Sequence, residues 1–173
     1  MSAPQRRVYD LIRSGPRAVV EGPLRVWLTN PELAEHAQAL GAYCRYKTSV
    51  QTRLSELAII TVGAYWRAGF EWAIHAPIAE QAGIRGSAIA AIRSGLEPSL
   101  QQDEQAVYLF TRELLVTHRV SDTTFDRLSA FVGVAGPVDL VGTLGYYSLI
   151  CMTINAFQVP LPAGTPDPFE STG

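Results

Sequence analysis

The chain has 173 residues, of which 47% are hydrophobic and only 17% are charged, so its length suits one domain with a substantial core. Its net charge is -2 and no basic block or stripe is present, which argues against binding to nucleic-acid phosphates. Because so few charges leave apolar surface thinly covered, we expect a homo-oligomer.

The sequence carries no signal for secretion or for a membrane anchor. Residues 1–15 lack the apolar segment of a secretory signal. The most apolar stretch, residues 140–154, is shorter than the roughly 20 residues that a membrane span needs, and we predict a helix buried on nearly all sides. Cys44 and Cys151 lie far apart and form no CxxC pair. We therefore expect a cytoplasmic protein with reduced thiols and no membrane partner.

Helical spacing of apolar residues dominates from the N-terminus onward, and strand-like alternation is absent. The first helix is predicted over residues 5–13, and residues 17–29 are expected to be irregular. Asn30 suits a helix N-cap and Pro31 suits the first helical position. Together they predict a second helix that ends near Tyr46.

The middle of the sequence contains three further helices. One begins near Val50 and ends at a break at residues 67–69. The next covers residues 70–82, and Gly83 suits the left-handed position after its end. A short helix follows over residues 87–94.

The last third predicts three helices and a tail. Ser99 and Gln102 have the spacing of a capping box before a helix over residues 100–117. Two more helices are predicted over residues 121–131 and 136–157. The tail, residues 160–173, has four prolines among its 14 residues and is not helical.

The predicted fold is therefore an all-α single domain, a helical bundle over residues 1–173 with seven or eight helices. Short loops between long apolar helices favour antiparallel neighbours.

Three polar side chains stand among apolar neighbours. Glu71 and His75 are four residues apart, so they share one helix face. Glu56 lies in an equally apolar stretch one helix earlier. Such groups are paired or line a cavity, and a histidine beside a carboxylate can act as general acid and base near neutral pH. A core ion pair between Glu56 and an arginine such as Arg53 is the structural alternative.

The block over residues 53–95 resembles the carboxymuconolactone decarboxylase family, which includes alkyl hydroperoxidase D. That family has a glutamate in one helix, a CxxC at the start of the next, and a histidine four residues after the second cysteine. Glu56 and His75 match the glutamate and the histidine. Ala68 and Glu71 occupy the two cysteine positions, so the resemblance is to cysteine-free members.

The resemblance implies the alkyl hydroperoxidase D-like fold and an assembly of three or six subunits. Without the thiol pair, a thiol peroxidase cycle cannot run. It implies instead a cofactor-free lyase of the decarboxylase or isomerase type, acting on a small unsaturated lactone or related carboxylic acid, as in aromatic catabolism. No metal or organic cofactor is expected. His75 would be the general acid/base, and Glu56 would set its protonation or shuttle the proton. Glu71 would shape the pocket or replace the missing redox centre with a second carboxylate.

Other roles stay open at the level of sequence. Trp66 and Trp72 are the candidates for substrate binding, with packing as the alternative. Arg53 and Arg67 are both close enough in sequence to hold a substrate carboxylate. The competing function is a non-catalytic helical oligomer that binds a small ligand or partner, with a structural role for the glutamates and the histidine.

Overall fold

A computed structural model gives the structure of the protein and describes residues 1–170. Within these residues the chain forms nine α-helices and no strand, which confirms the all-α fold class. The helices are α1 (Ala3–Ser14), α2 (Pro23–Trp27), α3 (Pro31–Tyr46), α4 (Thr52–Tyr65), α5 (Gly69–Gln81), α6 (Gly86–Arg93), α7 (Gln102–Thr117), α8 (Asp122–Val132) and α9 (Gly136–Ala156).

The expected number of helices, seven or eight, was too low because α2 was missed. This helix has only five residues, too few for an apolar period to show. It begins at Pro23, in the first helical position where a missing N–H costs nothing. The segment expected to be irregular therefore contains one helical turn.

Helix α4 lies at the centre of the domain. Every residue from Leu54 to Gly63 is buried, and the helix packs against α5, α6, α7 and α9. One apolar cluster fills the space between α1, α3, α4 and α9, and a smaller one joins α4 to α5, α6 and α7. Polar side chains on α4 therefore have no route to solvent except through a cavity.

Helix α9 is the apolar helix predicted to be buried. Among the described residues it is the one helix long and apolar enough to cross a membrane, with a mean hydropathy of 1.2. Of that stretch, 61% is buried inside the protein, and α9 packs against α2, α3, α4, α5 and α8. Most of α9 therefore lies in the core, but one face that includes Val138, Val141 and Met152 is exposed, so the prediction of burial on nearly all sides was only partly right.

The capping signals were partly right. The Asn30 side chain accepts a hydrogen bond from the Leu33 amide at the start of α3. At α7, however, the capping box is formed by Gln101 and Glu104, not by Ser99 and Gln102. Ser99 instead accepts from the Arg85 side chain, so its oxygens are engaged outside the helix.

The proline-rich tail lies along the protein's own surface as far as it is described. Phe169 is buried and its ring packs edge-on against Trp72, with ring centroids 5.5 Å apart. Arg67 donates to the Phe169 carbonyl oxygen and its guanidinium lies 5.4 Å from the centre of the ring. The tail is thereby attached to the α4–α5 junction; residues 171–173 fall outside the described part.

Candidate active site

His75 lies between two carboxyl groups. Its Nδ1 is 2.7 Å from Glu56 Oε2, and its Nε2 is 3.1 Å from Glu71 Oε1. Helix α4 supplies Glu56, while α5 supplies Glu71 and His75 one turn apart. All three residues are at most 4% exposed. The structure thus brings together the three side chains that were chosen from the sequence.

The two contacts of His75 differ in kind. The Nδ1 contact with Glu56 is a hydrogen bond, which places the Nδ1 proton toward that carboxylate and leaves Nε2 for other chemistry. The Nε2 contact with Glu71 is short but not aligned for a hydrogen bond, so Glu71 Oε1 has no hydrogen-bond partner in the described chain. Burial raises the pKa of Glu71, and the neighbouring His75 only partly offsets this. Glu71 therefore retains its proton to a higher pH than an exposed glutamate does.

A cavity of about 100 Å³ is lined in part by His75. Its walls come from α2, α3, α5, α9 and the segment between α1 and α2. The charged and aromatic-polar residues of the wall are Arg17, Glu21, Arg45, Glu71, His75 and Tyr147. Glu56 is not part of this wall, so it contacts the cavity only through His75.

Two glycines allow the segment before α2 to close over the cavity. Arg17 donates a hydrogen bond to the Tyr146 hydroxyl at 2.9 Å. Both groups pack directly against Gly41, where an added Cβ would lie 2.3 Å from Arg17 and 2.1 Å from Tyr146. Gly22 has φ +53°, and a Cβ there would lie 2.5 Å from the Phe70 ring. Any side chain at either glycine would push the cavity wall away.

Unpartnered polar atoms concentrate in this cavity. Among residues 1–170, five buried side-chain nitrogen or oxygen atoms have no hydrogen-bond partner, and three of them belong to the wall: Arg17 Nε, Glu71 Oε1 and the Tyr147 hydroxyl. Such an atom costs about 1–3 kcal/mol of folding free energy. A cluster of them is typical of a site that binds something.

The structure does not bring the two predicted substrate-binding tryptophans to His75. Trp72 packs against Phe169, and Trp66 packs edge-on against Tyr65 and onto the larger apolar cluster. Neither residue lines the cavity. Both occupy the packing role that was the alternative for them.

The two arginines considered for a substrate carboxylate are also engaged elsewhere. Arg53 pairs with Asp103 and Glu104 on α7. Arg67 holds the tail at Phe169. The structural alternative of a core ion pair therefore applies to Arg53, but its partners are on α7 and not Glu56.

Sequence reasoning missed Arg17 and Arg45. One signal was present for Arg17. Its segment lies between Gly15-Pro16 and Gly22-Pro23, and such glycine-proline pairs mark turns and loops. Arg45 carries no such signal. It is one of several polar residues on α3, and only the packing of α3 against α9 places it at the cavity.

Neither cysteine offers a reactive thiolate. Cys44 and Cys151 are free and buried. Burial raises the pKa of both thiols, most strongly at Cys151, where the nearby Glu71 adds to the effect. A nucleophilic cysteine needs the opposite environment. Across residues 1–170, no group of three or more His, Cys, Asp or Glu side chains is arranged to hold a metal ion.

Comparison with known proteins identifies the fold. No protein-family model and no curated protein sequence matches the chain. Its structure is similar to a protein of unknown function from Agrobacterium tumefaciens with a proposed role as the antioxidant defence protein AhpD, with a TM-score of 0.70, 15% identity, and coverage of 83% of this chain and 99% of that one.

The debrominase Bmp8 is a second structural relative. Its cysteine-to-alanine variant in complex with 2,3,4-tribromopyrrole gives a TM-score of 0.69 at 13% identity, covering 93% of this chain and 85% of that chain. The apo form of Bmp8 gives a TM-score of 0.66 at 13% identity, covering 92% of this chain and 85% of that chain. The chain therefore has the AhpD-like fold, which also occurs in enzymes. Function has to be argued from the site itself.

Proposed function

We propose that the protein is a cofactor-free lyase of the decarboxylase or isomerase type, acting on a small unsaturated lactone or related carboxylic acid. The activity resembles that of the carboxymuconolactone decarboxylases of aromatic catabolism. One observation carries the proposal: an imidazole lies between two buried carboxyl groups, and the imidazole and Glu71 line a cavity. Paired titratable groups in contrasting environments are typical of acid/base catalysis.

Each member of the trio has a distinct role in this proposal. Glu56 accepts a hydrogen bond from Nδ1 and fixes the orientation of His75, so it is a positioning residue. Nε2 of the neutral ring is the general base. Glu71, whose pKa is raised by burial, is the general acid.

The protons balance for both reaction types. In an isomerisation, Nε2 removes a proton from a carbon beside a carbonyl group and Glu71 returns one at another carbon. Proton exchange with water then restores both groups. In a decarboxylation, the bond to the carboxylate breaks, its electron pair moves into the conjugated lactone, and carbon dioxide leaves. Glu71 protonates the carbon and is reprotonated from water. Neither path needs an oxidant.

Thiol chemistry is not part of the proposal. Ala68, the residue before α5, is buried and has no reactive atom, and both cysteines are shielded. Two unpaired buried thiols are compatible with a reducing compartment, and we propose a cytoplasmic location.

The substitution His75→Asn tests the function. The asparagine amide can keep the hydrogen bond to Glu56 in place of Nδ1, but nothing replaces Nε2. We expect kcat/KM on a panel of unsaturated lactones and carboxylic acids to fall by about 10²–10⁴, with little change in melting temperature.

His36→Asn is the matched control, because His36 is exposed on α3 and should leave activity unchanged. Full activity in His75→Asn would refute the proposal. A native protein that is inert on the whole panel, together with a His75→Asn variant that only loses stability, would favour the non-catalytic oligomer instead.

We further propose that the protein assembles as a trimer or hexamer. The exposed face of α9 is uncharged and carries Val138, Val141 and Met152, which are 75%, 49% and 45% exposed. An exposed apolar face of this kind supports contact between subunits. Light scattering should give a mass of three or six chains of 18.8 kDa, and the mass of a single chain would contradict the proposal.

A further inference from the structure

The cavity beside His75 contains two arginines that have no ion-pair partner among the described residues. Arg17 and Arg45 both line it, and neither forms an ion pair with any residue of the described chain. The acidic groups of the wall are Glu21 and Glu71, and burial raises the pKa of Glu71. Two guanidinium groups without an ion-pair partner in residues 1–170 thus line one cavity, an arrangement that favours an anion.

Arg17 is held in place before any ligand arrives. One of its terminal nitrogens donates to the Tyr146 hydroxyl, and its guanidinium lies 5.6 Å from the centre of that ring. Its Nε is buried without a partner. A guanidinium fixed at one nitrogen and unsatisfied at another is suited to bind an oxygen anion.

Tyr147 provides a second polar contact on the same wall. Its hydroxyl is buried without a partner, and its ring packs edge-on against His75 with centroids 5.1 Å apart. Burial raises the pKa of Tyr147 well above its ordinary value, so the hydroxyl keeps its proton and can donate it to a ligand oxygen.

The cavity is small. A closed cavity of about 150 Å³ holds one benzene molecule, whereas this one has about 100 Å³. A short chain or a single small ring therefore fills the space between the arginines and His75, and any larger part of a ligand has to extend toward solvent.

We propose that Arg17, assisted by Arg45, anchors the carboxylate of a small monoanionic ligand, while Tyr147 hydrogen-bonds a second oxygen of the same ligand. The atoms between these two anchors then lie against His75 Nε2 and Glu71. The reaction at those atoms rests on the proposed function, but the anchoring itself does not.

The anchored carboxylate is one that survives the reaction. An ion pair with Arg17 stabilises a carboxylate in the bound substrate and is lost if that carboxylate leaves as carbon dioxide. Interactions that weaken in the transition state slow a reaction. A monocarboxylate held in this way is therefore isomerised, and decarboxylation requires a second carboxyl group that points away from Arg17.

Binding of furoate, measured by titration calorimetry on the full chain, tests the anchor. Furoate is a single-ring carboxylate that has no reaction to undergo here, and its neutral amide, furamide, is the matched probe. We expect furoate to bind at least about tenfold more tightly than furamide. The Arg17→Met variant should bind furoate about tenfold or more weakly than the native protein does. Tyr147→Phe should weaken binding by a smaller factor.

Arg112→Met is the control variant, since Arg112 is exposed on α7 and lies outside the cavity. If Arg17→Met does not fold, Arg17→Lys keeps the charge but loses Nε, and we expect it to weaken furoate binding by severalfold. Equal binding of furoate and furamide would overturn the proposal. So would native-like furoate affinity in a folded Arg17→Met or Arg17→Lys protein, or no furoate binding at millimolar concentrations.

The two proposals fail in different ways. Furoate binding that depends on Arg17 supports the anchor even if no lactone is converted. Conversion of a lactone by a folded Arg17→Met protein with unchanged KM overturns the anchor and leaves the acid/base function standing.

Discussion

Two polar clusters of the protein are built in contrasting ways. In the ion cluster of Arg53, Asp103 and Glu104, the arginine contacts both carboxylates. Glu104 also accepts from the Gln101 amide as part of the capping box of α7. In the cavity cluster of Arg17, Arg45, Glu71, His75 and Tyr147, three buried atoms lack partners.

The difference separates groups that hold the fold from groups that are available to a ligand. At Asp103, burial opposes ionisation, but hydrogen bonds from Arg53 and the Glu104 amide outweigh it and lower the pKa. At Glu71, burial dominates and raises the pKa. A satisfied cluster stabilises the protein or is neutral, whereas an unsatisfied one lowers stability and is retained for another reason.

The largest difference in the free energy of unfolding should be between the variants Arg53→Met and Arg17→Met. Arg53→Met leaves Glu104, which is 2% exposed, without its cation, and we expect it to lower the free energy of unfolding by about 3 kcal/mol. Arg17→Met loses the hydrogen bond to the Tyr146 hydroxyl and the contact with its ring, and should cost about 1 kcal/mol. Urea denaturation of both variants measures the difference. Equal losses of unfolding free energy in the two variants would show that Arg17 contributes as much to the fold as Arg53 does.

The pH dependence of Glu71→Gln should be the next largest effect. The folded-state pKa of Glu71 lies above its ordinary value of 4.5. Below about pH 4.5 the group is protonated in both the folded and the unfolded state and costs no stability. As the pH rises above that value, the unfolded state ionises first, and the folded protein loses stability. Glutamine has no such penalty. The variant should therefore be more stable than the native protein, by about 1 kcal/mol near neutral pH, and the gain should shrink toward about pH 4.

Asp139→Asn provides a control of opposite sign. At Asp139, burial opposes ionisation, but hydrogen bonds from Ser49 and Tyr43 outweigh it and lower the pKa below 3.8. The stability that ionised Asp139 contributes is present above that value and is lost as the pH falls through its folded pKa. Thermal melts across pH should show Asp139→Asn destabilising mainly near neutrality. A Glu71→Gln gain that did not change with pH would contradict a raised pKa at Glu71.

The smallest effects should distinguish two adjacent tyrosines. The Tyr146 hydroxyl accepts from Arg17, whereas the Tyr147 hydroxyl has no partner in the described chain. Tyr146→Phe should lower the free energy of unfolding by about 1 kcal/mol, and Tyr147→Phe should leave it unchanged or raise it by about 0.5 kcal/mol. Denaturation midpoints that fell equally in both variants would remove the distinction between the two hydroxyls.

Local patterns account for what the sequence could predict. Asn30-Pro31 marks the start of α3, and Gly83 has a positive φ two residues after the end of α5. Four-residue spacing places Glu71 and His75 on one helix face. These features depend on neighbours within a few residues, and they were predicted correctly.

The features that were missed depend on long-range packing. Arg17 reaches the cavity through its contact with Tyr146, which is 129 residues away in the chain. Arg53 finds its partners about 50 residues away on α7, which removes it as a candidate for the substrate carboxylate. No periodicity or spacing encodes such pairings, because they arise only when separate helices dock.

Exchange of ligand hydrogen with solvent deuterium tests the central claim most directly. If His75 and Glu71 move protons to and from carbon, native protein in deuterium oxide should introduce deuterium into a small unsaturated lactone or carboxylic acid that it binds, as followed by proton NMR. The His75→Asn protein should do so at least about 100-fold more slowly. Deuterium incorporation at equal rates in the two proteins, or none by the native protein into a ligand that it demonstrably binds, would contradict the account.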